Sequence, residues 1–187
     1  MERLGVTLLL VCSMLAQGCI AAEPSAPTLE LGERVVTDDG VGLFHFGRAV
    51  DETLSLCDQS EYTDEGIGAV SPFAMFHCVR EFGLYMLGFD QQGLAQIRVR
   101  SGGVLMRTGV RARVGDTVER LTEVLPDLRF AGNADEGTLV AFSSDGVDFV
   151  MRLRNPIELG PELDPQTAAE LRCITVEEIV VTRSGGG

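Results

Sequence analysis

Apolar and polar positions alternate over several short stretches of this chain, and the alternation predicts strands. Leu43, His45 and Gly47 alternate with Phe44 and Phe46, as on a strand with one buried face. Phe73 to Val79, Leu84 to Phe89 and Leu94 to Arg100 read as three more strands, and in the last Gln96, Arg98 and Arg100 alternate with Ile97 and Val99. Asp90-Gln91-Gln92-Gly93 joins two of them as a hairpin turn. Further along, Val110, Ala112 and Val114 alternate with Arg111 and Arg113. Strands follow at Leu128–Phe130, Thr138–Phe142, Val147–Leu153 and Ile174–Thr182.

Two stretches change to the helical period. Ala49 to Cys57 sets Val50, Leu54 and Cys57 on one face. Val118, Leu121, Val124 and Leu125 make a second stripe, which Pro126 stops. Asp116 is the expected cap of that second helix, with Glu119 at the capping-box position. Gly47 and Gly115 stand at the strand-to-helix corners. Residues 58–72 are acidic and glycine-bearing and read as a loop. Asn155–Pro165 is a proline-bearing excursion, and Pro165 opens a short helix to Arg172. The last residues, 184–187, read as a loose tail.

Aligning Gly47 with Gly115 sets G-R-A-V-D-E against G-D-T-V-E-R. The expected fold is therefore α+β: an antiparallel sheet with one helix packed on it from each of two repeated β-α-β-β-β halves. The halves are 38–104 and 105–184 of a single domain spanning 38–184.

Composition narrows the chemistry. The 187 residues are 45% hydrophobic, enough for a globular core. A formal net charge of −13 repels phosphate backbones and anionic headgroups, which excludes nucleic acid as an expected partner. All 15 basic residues are Arg. Without Lys there is no Schiff base, no P-loop lysine and no Ser-Lys dyad.

The N-terminal stretch reads as an export signal. Arg3 precedes an apolar run from Leu4 to Ala16, too short to span a bilayer but suited to a signal core. Leu15-Ala16-Gln17-Gly18-Cys19 then resembles the lipobox of bacterial lipoproteins. That resemblance implies a signal peptide over 1–18, a lipid on Cys19 that anchors the chain to a membrane, and a flexible tether over 19–37. Cleavage after Ala21 or Ala22, or a buried N-terminal helix, are the alternatives. The β-α-β-β-β order, carried by G-V-R-A-R-V-G-D-T-V-E-R-L, resembles two groups of exported bacterial proteins. These are the small lipoprotein of the outer-membrane barrel-assembly machinery and the β-lactamase-inhibitor proteins. Both groups work by protein contact, so the resemblance implies a binding role at the cell envelope.

Export implies an oxidising compartment. With Cys19 lipidated, Cys57–Cys78 is the first choice for a disulfide and Cys173 is expected reduced; three separate buried thiols are the alternative. His45 and His77 lack metal-ligand spacing, and His77 and Cys78 point to opposite faces of a strand. Asp38-Asp39-Gly40, Asp64-Glu65-Gly66 and Asp135-Glu136-Gly137 do not fit a calcium loop and read as turns. No catalytic residue, metal or cofactor is expected. Arg98, Arg100, Arg111 and Arg113 are the candidate partner-binding residues, with a solvated face as the plainer reading. An exported hydrolase is the alternative function, and a deep pocket holding His45 or His77 with a carboxylate is what would favour it.

Overall fold

Burial along the strands follows the alternation read from the chain. In β6 (Gly83–Asp90), Tyr85, Leu87 and Phe89 are buried toward one side, while Leu84 and Met86 face the other. The computed structural model describes residues 34–63, 73–80, 83–133, 137–143, 146–153 and 171–183. The signal peptide, Cys19, most of the tether, the acidic 64–72 stretch and the 155–165 excursion lie outside the described residues.

Three short strands open the described chain: β1 (Val36–Thr37), β2 (Gly40–Val41) and β3 (Phe44–His45), paired as one small sheet. Helix α1 (Val50–Leu54) follows. Then β4 (Gln59–Thr63), β5 (Ala74–Arg80), β6 and β7 (Gly93–Val99) form an antiparallel meander. β8 (Gly103–Leu105) and β9 (Arg111–Arg113) make a two-stranded ribbon, and α2 (Val118–Val124) comes next. β10 (Arg129–Asn133), β11 (Thr138–Phe142), β12 (Val147–Arg152) and β13 (Val176–Thr182) form a second meander. The meanders join through their last strands, β7 against β13, in one eight-stranded antiparallel sheet.

The structure is thus α+β, mostly strand, with α2 residues in the core formed by one sheet face and the α1 residues Val50 and Leu54 packed against it. That face supplies Cys78, Leu87, Ile97, Val99, Leu139, Phe149 and Ile179; α2 adds Val118 and Leu121, and the small sheets add Val36, Val41, Phe44, Val104 and Ala112. Burial of such side chains contributes about 1.5–3 kcal/mol each. The other face carries a second buried apolar set outside that core: Met75, Met86, Val150 and Val180.

Three expectations are corrected. The 58–72 loop begins with a strand, β4. Its residues Q-S-E-Y-T are nearly all exposed, so no apolar alternation announces them. Ladder pairing to β5 holds them instead. The strands before each helix, β3 and β9, belong to small separate sheets rather than to the large one. The cap of α2 is Thr117, whose Oγ1 accepts from the Arg120 N–H at 3.1 Å; Asp116 instead closes the preceding turn by accepting from the Arg113 N–H at 2.7 Å. A hydroxyl one residue later meets the helix's free N–H groups better once Gly115 has turned the chain.

Candidate functional site

The four arginines singled out from the sequence fall into two places. Arg98 of β7, on the non-core face, and Arg100, just past the end of that strand, converge on Glu178 of the adjacent strand β13. Arg98 Nη1 lies 3.5 Å from Glu178 Oε2 and Arg100 Nε 2.5 Å from Oε1. Arg98 Nε also donates to Gln96 Oε1 at 2.7 Å. Arg98 and Glu178 are both buried, so the cluster is a low-dielectric ion network and not a solvated face. Burial depresses the Arg98 pKa; Glu178 opposes that and the Arg100 charge adds to it. A guanidinium stays protonated even so.

Arg111 and Arg113 stand on β9, outside the large sheet. Ala112 between them is buried under the ribbon, so the two guanidinium groups share the outward side, and both residues are exposed. Arg113 packs its stem beside Gly103 of β8, where an added Cβ would sit 2.7 Å from Arg113 Cγ. The ribbon is thereby a firm base for two forward-facing cations in a chain of net charge −13.

The His45 neighbourhood is the second candidate. Asp39, His45, Phe46, Gly47, Arg48, Ala49 and Glu52 line an open depression of about 650 Å³ where β3 turns into α1. Its floor is fixed to the β6–β7 turn: the Gly47 N–H donates to the Leu94 carbonyl at 2.8 Å, and the Leu94 N–H to the Arg48 carbonyl at 2.9 Å. The lining brings an imidazole together with two carboxylates and a guanidinium. Among the described lining residues there is no hydroxyl or thiol, so any chemistry here would fall to the carboxylates and the imidazole, as acid, base, nucleophile or ligand-binding groups. His77 lies elsewhere, on β5 between Glu61 and Met86 in the ladder. Cys78, its neighbour, points to the core face. Among the described residues no three His, Cys, Asp or Glu side chains gather as a metal site requires, and no helix is long and apolar enough to cross a membrane.

The disulfide joins Cys57 and Cys78, with Cα atoms 5.5 Å apart. It ties the end of the α1 segment to β5 and fixes the entry into β4. Such a bridge contributes about 3 kcal/mol. Cys173 departs from expectation: it is not reduced but disulfide-bonded. It sits exposed on a turn, where another stretch of chain can approach its sulfur, rather than packed as a buried thiol.

One charged group escaped the sequence reading. Asp148 of β12 lies on the non-core face between Val180 and Phe142 in the ladder. Burial raises its carboxyl pKa. The strand alternation gave its side of the sheet, but not that this side is partly closed to water. Comparison with protein-family models, curated proteins and solved structures finds no match.

Proposed function

We propose that this chain is a non-catalytic binding protein of the bacterial cell envelope, held to a membrane by a lipid on Cys19, with a domain built from two copies of one unit. The observation that carries the binding reading is the β9 pair. Arg111 and Arg113 are exposed side by side on a short ribbon, suited to the carboxylates of a protein partner. Strand backbone holds them more firmly than a loop would, which lowers the ordering cost of contact. Arg98 and Arg100, the other two candidates of this proposal, both engage Glu178 on the non-core face.

Matching corners support the two-copy reading. The Gly47 N–H donates to Leu94 and receives the return bond at the next residue, Arg48; the Gly115 N–H donates to Val176 at 2.8 Å, and Val176 returns a bond to Asp116 at 2.9 Å. In each case a glycine of positive φ precedes a helix and pins it to the last strand of its own meander. The envelope placement rests on the apolar run ending at Gly18-Cys19.

Crosslinking and pull-down from native envelopes tests the binding reading. The wild type should retain a discrete partner, and Arg111→Ala/Arg113→Ala should lose it while melting at the same temperature. Equal capture by both would leave the pair a solvated face. A second reading, an exported hydrolase, has the His45 depression in its favour. It requires turnover of an ester, peptide or glycan that disappears in His45→Ala.

A further inference from the structure

We propose that the depression beside His45 binds a small zwitterion, an α-amino acid with an apolar side chain. The inference goes beyond the partner surface on β9 and uses none of its residues, so either can fail alone. Asp39 reaches the depression from the turn between β1 and β2, His45 from the end of β3 and Phe46 from just past it. Arg48 comes from the corner, and Ala49 and Glu52 from the cap and first turn of α1. The volume of about 650 Å³ lies within the span of small-molecule sites.

The backbone beneath these side chains is fixed on both sides. The Phe46 N–H donates to the Asp39 carbonyl at 2.6 Å, and Gly40 pairs with His45 in the ladder, so the β2–β3 hairpin holds Asp39 and Phe46 together. The bonds of Gly47 and Arg48 to Leu94 clamp the corner onto the β6–β7 turn. Gly93 allows that close approach: a Cβ there would stand 2.6 Å from the Gly47 carbonyl oxygen. A site whose backbone is set before the ligand arrives has less to order on binding.

The fold does not use the charges it gathers here. Among the described residues, Asp39, His45, Arg48 and Glu52 make no side-chain hydrogen bond or ion pair. Charges close by are paired: Asp38 meets Arg107, and Asp90 meets Arg183 at 2.6 Å. Arg48 and Glu52 stand four residues apart, the spacing of a helical ion pair, and still leave each other free. One depression thus offers a free cation and two free anions, with an imidazole beside them.

An α-amino acid meets that set with both of its charges. Its carboxylate takes the Arg48 fork as a two-point contact, with the His45 ring N–H as a further donor. Its ammonium takes Asp39 or Glu52, and its side chain lies against the Phe46 ring and the Ala49 methyl group. A ligand with a single charge fits worse. A plain carboxylate meets Asp39 and Glu52 unmatched, and a plain amine does the same to Arg48, so the mixed set selects for the zwitterion. Because the depression is open, water screens these contacts, and binding is on the order of millimolar.

The test adds L-leucine to the isotope-labelled full chain at fixed pH and follows the Gly47, Arg48 and Ala49 amides and the His45 ring by NMR. Shifts confined to this corner should saturate. Isoamylamine, which is leucine without its carboxylate, and isocaproate, which is leucine without its amine, should each bind about tenfold more weakly, the loss of one charge-assisted contact. Arg48→Ala should bind leucine no better than the wild type binds isoamylamine, and Arg48→Lys, which keeps the charge, should recover part of the affinity. Asp39→Asn/Glu52→Gln should bind leucine no better than the wild type binds isocaproate. Asp39, Arg48 and Glu52 are all exposed, so these variants should melt with the wild type, which separates a lost site from a lost fold. Leucine that causes no saturable shift, half-ligands that bind as well as leucine, or an Arg48→Ala protein that binds leucine undiminished overturns the proposal.

Discussion

Asp148 and the Glu178 cluster show how one sheet face treats charge in two ways. Asp148 has a carboxyl pKa raised by burial. A raised folded-state pKa means the native state binds the proton more tightly than the unfolded chain does. Its contribution to stability is present below the ordinary carboxylate pKa of about 4 and is lost as pH rises through the higher folded value. Asp148→Asn should therefore raise the melting temperature at neutral pH, with the gain shrinking as the pH approaches 4. Thermal melts of both proteins across that range check it, and a constant difference would refute the assigned cause. Glu178 sits between two guanidinium groups. Removing it leaves Arg98 buried and unpaired, a change that costs about 3–5 kcal/mol. Glu178→Gln should lower the urea midpoint far more than Arg100→Ala, which leaves Glu178 its second partner. Equal losses would mean that the network is not organised around Glu178.

The elements were legible in proportion to how much their side chains alternate. β6, β7, β11 and β12 fall where Leu84–Phe89, Leu94–Arg100, Thr138–Phe142 and Val147–Leu153 place them, because each buries one face against the core. β4 was not legible, since Gln59–Thr63 is an exposed edge held by backbone bonds and by the nearby bridge at Cys57. The β8–β9 ribbon was half legible: Arg111-Ala112-Arg113 alternates, but Gly103-Val104-Leu105 is too short to signal a strand. The helix corners were legible from glycine alone. Gly115 has φ of 95° and no atom within 4 Å of where a Cβ would stand. A substitution there tests conformation without crowding. Gly115→Ala should cost about 1–2 kcal/mol, the penalty of left-handed backbone for an L-residue. Chemical denaturation measures it, and a neutral result would mean that the corner relaxes to negative φ.

At the scale of the whole molecule, topology decides what kind of surface the chain offers. Two four-stranded meanders meet along β7 and β13, so the last strands of both form the middle of the sheet. The central strands carry Arg98 and Glu178, and Arg100 follows directly on the end of β7. Among the described residues β4 and β10 are the edges of that sheet, and the α1 end of β4 is tied to β5 by the Cys57–Cys78 bridge. The sequence placed all four arginines on strands but could not separate them, because pairing across distant strands is invisible to periodicity. Glu178 is far from Arg98 in the chain and beside it in the sheet. That separation dictates how partner binding must be tested. Replacing all four arginines at once would remove the pairing of Glu178 together with any contact surface, and a loss of capture would then report instability. Arg111→Ala/Arg113→Ala leaves the ion network intact and should weaken capture by about 1–3 kcal/mol, the range of charge-assisted contacts, with an unchanged melting temperature. Its salt dependence adds a second readout. If exposed cations meet partner carboxylates, wild-type capture should fall as ionic strength rises from 0.01 to about 1 M, while the residual capture of the double variant should hardly change. Parallel salt curves for the two proteins would place the contact elsewhere on the molecule.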